Sequence, residues 1–306
     1  MVSPFQATSF VFVAGLLWAS AGLIGGQIAL SSLALAEFRL MMAAVVLILV
    51  LAIKNIPLWS VAKANRRVVC LAALGMAGFQ WSFFFAVQKT NASFATWASV
   101  ASGPLCVHLI KEARSIYRHR ALDFGAVALG LGLMAIADEL SGVGILSSLA
   151  AGLCYALYAI SVMQVEVPDK RYSEFDVNLM STGLALFGSA IMILPFAAFE
   201  FASFPIAEIS PGDCFRLVLL GMLSTTTAYL LLALGMNRLS AEQALRLQWV
   251  QPIATEIFSY LLDGATPSSG FAIGMGLLLL SLLNLSQRRS QSIATSGVLK
   301  PFSNRV

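Results

Sequence analysis

Charge is what this 306-residue chain has least of. Asp, Glu, Lys and Arg make up 11% of it, where a soluble globular protein carries about 25%. Histidine occurs 2 times and cysteine 4 times. Cys70, Cys106, Cys154 and Cys214 stand far apart, in or beside apolar runs and without metal-ligand spacing. Neither a disulfide framework nor a zinc site is indicated, and cysteine in such surroundings behaves as a small apolar side chain. A phosphate-cradling Gly-rich loop is missing, so drive by ATP would need a partner. Also missing are a His-Glu-x-x-His helix, paired aspartates within an apolar run and a Ser/His pair at mid-depth, which argues against an enzyme. No cofactor or metal is expected. Before the first apolar run there is no Lys or Arg, so the basic start of a cleavable signal peptide is absent and the first run is expected to be retained.

Apolar residues fill the space. They make up 58% of the chain, and mean hydropathy is +0.84. Between short charge clusters lie runs of about twenty residues, enough for an α-helix to cross ~30 Å of hydrocarbon. Ten spans are read at about 8–29, 33–53, 68–88, 92–110, 121–137, 143–164, 177–199, 214–235, 241–262 and 269–286. The expected class is an all-α membrane protein in a lipid bilayer. With the N-terminus inside, cytoplasmic segments hold 15 of the 19 Lys and Arg residues, among them Lys54, Lys63, Arg66, Arg67, Arg118 and Arg120. Asp138, Glu139, Glu200, Glu208, Asp213 and Asp263 gather on the opposite face. Both termini are therefore expected in the cytoplasm. The net charge of +4 serves orientation, and nucleic acid is not an expected partner.

The chain repeats itself. Ala14-Gly15-Leu16-Leu17-Trp18-Ala19 returns as Ala151-Gly152-Leu153-Cys154-Tyr155-Ala156, Leu74-Gly75-Met76 as Leu220-Gly221-Met222, and Pro104 is echoed by Pro252. The offsets are 137, 146 and 148 residues, a drift of a few loop positions. Five spans per copy is an odd number, so the second copy enters the membrane from the opposite face. Such inverted repeats are a common plan of secondary transporters. The expected units are 1–140, 141–286 and a disordered cytoplasmic tail, 287–306.

The residues also resemble a family. An early span of each repeat carries Gly-Leu-x-aromatic-Ala, span 2 opens on Glu37-Phe38-Arg39, spans 3 and 4 lead from Ala86 to Ser102-Gly103-Pro104-Leu105, and spans 8 and 9 lead from Asn237-Arg238-Leu239-Ser240-Ala241 to Gln251-Pro252. This order resembles the EamA family of the drug/metabolite transporter superfamily over about residues 8–286. The stretch from Arg120 to Phe124 is similar to its threonine/homoserine exporter branch. In place of the Gly-Glu pair that many members carry after the fourth span of each repeat, this chain has Tyr117-Arg118-His119-Arg120 and Leu262-Asp263-Gly264. The resemblance implies transport of a small molecule without naming it. It also implies that the fifth spans, with Gly130, Gly132, Gly274 and Gly276, lie off the pathway, as packing or homodimer contacts.

Ionisable groups in a span cost at least ~2.5–3.5 kcal/mol near its centre, so they tend to face a cavity or a partner. Span 9 is richest, with Arg246, Gln248, Trp249, Gln251 and Glu256 around Pro252. Arg246 either pairs with Glu242 one turn away or faces the cavity, where its fork suits a carboxylate. Glu256 either binds an amine or carries a coupling proton, or it is a structural hydrogen-bonded carboxylate. His108 reads as interfacial. Pro104 and Pro252 each free a carbonyl one turn earlier, and two such breaks mark either a wet repeat interface or packing kinks. Trp18, Trp81, Trp97, Tyr155, Tyr158 and Tyr229 add aromatic walls, and Arg39 lies within span 2. Aromatic walls with few polar groups suit an amphipathic metabolite.

The expectation is a multi-pass carrier of a bacterial inner membrane. It would export an amino acid or similar compound by alternating access between spans 4 and 9, with protons as partners if Glu256 couples. Export of cationic drugs is the alternative within the same fold. An intramembrane enzyme and a non-transporting receptor or structural subunit are the alternatives from other classes.

Overall fold

In the computed structural model, residues 3–112, 121–167, 171–203, 209–236, 238–239, 243–244 and 247–281 are described, without the side chains of 107–112, 121–123 and 201–203. Arg246, Glu242, the His108 side chain and the 287–306 tail lie outside the described residues.

Local chemistry starts and stops the helices. Helix α1 (Pro4–Gly26) opens on a capping box in which Gln6 N–H donates to Ser3 Oγ at 3.2 Å and Ser3 N–H donates to Gln6 Oε1 at 2.8 Å. These bonds satisfy two donors that a helix start leaves free. Ser31 caps α2 (Ser32–Ile53) in the same way, through Ala34 N–H at 3.1 Å. A short helix α3 (Leu58–Ala64), not foreseen in the sequence, carries Trp59 on its exposed side before α4 (Arg66–Lys89). Then follow α5 (Ala92–Glu112), α6 (Ala121–Ala137), α7 (Gly142–Val162) and α8 (Glu174–Ser203). Ser210 caps α9 (Pro211–Gly235) through Asp213 N–H at 3.0 Å. The last described helices are α10 (Val250–Asp263) and α11 (Ser269–Ser281). Gly264 ends α10 at φ +65°, a left-handed turn in which its N–H reaches Tyr260 O at 3.0 Å.

Among the described residues there is no strand, and six helices are long and apolar enough to cross a membrane: α1, α2, α4, α7, α8 and α9. Apolar segments of α6 and α11 are shorter. Span 9 is interrupted in its described part. The chain turns at Gln248 and Trp249, and α10 begins at Val250. Pro252 therefore sits in a first turn, where a missing N–H is tolerated. Gln251 N–H donates at 2.9 Å to the carbonyl of Gln248, one turn before Pro252.

Packing follows an exchange rule. Both α4 and α5 lie along α7, and α4 also meets α8; both α9 and α10 lie along α1, and α9 also meets α2; α2 and α8 lie against each other. Exchanging α1 with α7, α2 with α8, α4 with α9 and α5 with α10 turns each contact into another of the set. The repeated glycines sit at matching points. A Cβ on Gly152 of α7 would meet Ser102 Oγ, and Ser99 O of α5 at 2.9 Å; one on Gly15 of α1 would meet Val250 Cγ1 at the start of α10 at 2.5 Å. Phe94, Trp97, Met134, Phe271 and Leu278 form a separate small core that joins α5 to α6 and α11. There Gly130 and Gly274 let two backbones touch, whereas Gly132 and Gly276 have nothing within 4 Å.

Candidate functional site

A cavity lies where α1, α2, α4, α5, α7 and α9 converge on residues 248–251. The space between its walls, open side included, is about 670 Å³. Helical spacing decides which side chains reach it. Trp18 and Ala21 come from one face of α1, Phe79, Gln80 and Phe83 from one face of α4. From α5 come Ser99, Val100 and Pro104. Pro104 has no N–H for the Val100 carbonyl, and both residues line the cavity. Tyr155 of α7, Tyr229 of α9 and Gln248, Trp249 and Gln251 complete the wall.

Its rings form one chain of contacts. Trp18 meets Tyr229 edge-on at 5.2 Å, Tyr229 meets Tyr158 at 6.4 Å, Tyr158 meets Tyr155 at 6.0 Å and Tyr155 meets Phe79 at 5.2 Å. Phe79 continues to Phe83 at 5.9 Å and Phe83 to Phe84 at 5.5 Å. The Arg39 guanidinium lies over Phe84 at 5.1 Å. Each such pair contributes roughly 0.5–1.5 kcal/mol beyond its buried area, so together they hold the wall. Tyr155 Oη donates to Gln248 Oε1 at 2.8 Å, tying α7 to the turn before α10.

Arg39 is 3% exposed and, among the described residues, is the only wall residue with a formal charge. Its Nε donates to Thr225 Oγ1 at 2.7 Å and its Nη2 to the Ser224 carbonyl at 3.3 Å. Both acceptors lie in a widened, π-helical stretch of α9, Leu219–Thr227, where Thr225, Thr226 and Thr227 each donate to the carbonyl five residues back. Such widening is often found at functional sites. Among the described residues no carboxylate lies within 4.0 Å of this guanidinium, and Nη1 has no hydrogen-bond partner. Glu37 is also buried, with neither carboxylate oxygen hydrogen-bonded among the described residues, but it does not line the cavity. Gln80 Oε1 is a buried acceptor without a donor among the described residues, while Gln80 Nε2 and Tyr229 Oη both contact Met76 Sδ, at 3.5 and 3.4 Å.

A second, open cleft continues along α1, α5 and α10. It is lined in part by Gly22, Ser93, Asp138, Glu256 and Asp263, and among the described residues no basic one lines it. Between cleft and cavity, Trp97 Nε1 donates to Glu256 Oε1 at 3.1 Å, and Thr255 Oγ1 donates to the Ala19 carbonyl at 3.2 Å. Trp97 is 1% exposed and Thr255 fully buried.

Of the residues singled out in the sequence, Trp18, Arg39, Pro104, Tyr155, Tyr229, Gln248 and Trp249 meet at the cavity. Others do not. Trp81 is half exposed on the far side of α4, because one residue past Gln80 turns the side chain ~100° around the helix. Tyr158 packs behind Tyr155 and Tyr229, and Trp97 lies in the partition. Glu256 faces the open cleft and Pro252 is buried away from both spaces. Phe79, Gln80, Phe83 and Ser99 were not singled out. Gln80 carried a signal, an amide in the middle of an apolar run; the others carried none.

Helices of membrane-crossing length closed around an aromatic chamber with a buried cation define a polytopic membrane protein. The model of the EamA-like transporter family matches residues 6–136 and again 142–287. The chain belongs to that family. It is 26% identical over 289 residues to the uncharacterized transporter YwfM of Bacillus subtilis, covering 90% of this chain and 92% of that protein. It is 25% identical over 292 residues to the uncharacterized inner membrane transporter YicL of Salmonella typhimurium, covering 91% of this chain and 95% of that protein. A solved crystal structure shares the fold at TM-score 0.62 and 19% identity, covering 94% of this chain and 99% of the other.

Proposed function

We propose that this chain is a secondary transporter that carries a small amphipathic metabolite across a bacterial inner membrane by alternating access, with the Arg39 cavity as its substrate site. The observation that carries the reading is the stacking of a cavity and an open cleft along the same three helices, with a partition between them. A site closed on one side by a thin layer is what alternating access requires. Ten spans in two inverted repeats, 1–140 and 141–286, with both ends cytoplasmic, fit this reading. The exchange rule in the packing, the matching seats of Gly15 and Gly152 and the bias of Lys and Arg support it. The relatives' names, one of them an inner membrane transporter, agree. The acidic cleft falls on the outer face under this orientation, and Glu256 beside the partition is the candidate proton carrier. Net movement is outward in this reading.

Purified protein in proteoliposomes, tested with amino acids, organic acids, nucleosides and organic cations, gives saturable flux of at least one solute. Intact protein with no saturable flux for any of them sinks the carrier reading.

A further inference from the structure

We infer that the cavity takes an organic carboxylate with an apolar body, and that the carboxylate docks on the free edge of Arg39. The inference rests on the reading of this cavity as the substrate site and adds the class of substrate. A guanidinium buried without a counter-ion is costly, and burial of charge persists where a partner or a ligand compensates it. Here two of its nitrogens are held by Thr225 Oγ1 and the Ser224 carbonyl, which fixes the plane and leaves Nη1 without a partner among the described residues. Phe84 covers one face of the fork. What remains is an oriented pair of N–H donors, and such a fork matches a carboxylate better than it matches a neutral oxygen.

The remaining walls fit the same ligand. Among the described residues no acidic side chain lines the cavity, so a bound cation would find repulsion from Arg39 and no counter-charge among them. Trp18, Tyr229, Phe79 and Phe83 offer ring faces and edges for an apolar body. Gln80 Oε1, buried without a donor, accepts from an ammonium, a hydroxyl or an amide N–H on the ligand.

Calorimetric titration of the full chain in detergent with four probes of one size tests this: 3-phenylpropionate, its neutral amide, L-phenylalanine and phenethylamine. Both carboxylates are expected to bind, and the amide about tenfold to a hundredfold more weakly than the acid, the usual worth of a charge-assisted hydrogen bond. Phenethylamine is expected not to saturate. The comparison of L-phenylalanine with 3-phenylpropionate tells an amino acid from a simple acid. In Arg39→Gln the preference for acid over amide falls to about one, whereas a merely structural role would weaken both probes alike. If that variant does not fold, the wild-type series decides alone. Equal binding of acid and amide, saturation by phenethylamine without the acids, or no binding of any probe overturns the inference. Saturable flux of a cation in proteoliposomes, with no acid carried, removes the carboxylate and keeps the carrier. Charge-selective binding without flux of any solute does the reverse.

Discussion

The indole N–H of Trp97 on α5 donates to the Glu256 carboxylate on α10 at 3.1 Å, between the central cavity and the acidic cleft. Together with the Thr255–Ala19 bond, it ties three helices across the thinnest part of the wall. Trp97→Phe removes the donor and leaves a smaller ring. A hydrogen bond to a carboxylate is worth about 1.5 kcal/mol or more, so the partition should open about ten times as often. A cysteine placed at Ser99, in a variant without the four native cysteines, reports this. Its labelling by an impermeant maleimide from the cleft side is expected to accelerate about tenfold. An unchanged rate would mean that the bond plays no part in closure.

Glu256→Gln keeps the acceptor for Trp97 but cannot take or release a proton. Expression and exchange of substrate for substrate are expected to survive, because both need only the partition to open and close. Uptake driven by a pH gradient is expected to vanish. If the variant responds to the gradient as the wild type does, Glu256 is not the proton carrier.

Topology can be read from two positions at opposite ends of the fold. Ser60 is exposed on α3, close to Lys63, Arg66 and Arg67, while Cys214 is exposed in the first turns of α9, beside Asp213 and Arg216. In single-cysteine variants of whole cells, Cys214 should react with an impermeant reagent and Ser60→Cys only after permeabilisation. The opposite pattern would turn the protein over in the membrane, and equal labelling would break the inverted arrangement.

How much of this was legible varies with the physics. Helices that cross were legible because twenty apolar residues between charge clusters have few other solutions. Which face turns inward was not. Lipid is as apolar as a protein core, so the same aromatic residue fits either side, and Trp18 lines the cavity while Trp81 stands on the outside. Polar groups were better guides, since hydrocarbon rejects them: Arg39 and Gln248 both reach the cavity. Widening of α9 had no signal in the sequence beyond three consecutive threonines, which are equally content to bond the carbonyl four residues back. What Pro252 does is local. A helix can begin just before a proline at no cost, and here α10 does so at Val250.

The two repeated glycines differ in what a methyl group would strike, and this sets an order of stabilities. At Gly152 an added Cβ falls on Ser102 Oγ and lies 2.9 Å from Ser99 O and 3.0 Å from Gly103 N, both backbone atoms of α5. Backbone cannot swing aside, so α5 must move off α7, at about 1–3 kcal/mol. At Gly15 the short contact is Val250 Cγ1, with the nearest backbone atom at 3.8 Å, so a rotation of one side chain relieves most of it. Gly125 in α6 has nothing within 4 Å, and alanine there gains roughly 0.5–1 kcal/mol of helix propensity. Melting of the three alanine variants in detergent should therefore fall in the order Gly125→Ala, wild type, Gly15→Ala, Gly152→Ala. Gly152→Ala should also weaken substrate binding, because Ser99 and Pro104 ride on the displaced helix and line the cavity. A Gly152→Ala protein that melts with the wild type but loses binding would separate cavity shape from stability. One that keeps both would show that α5 has room to shift without opening the wall.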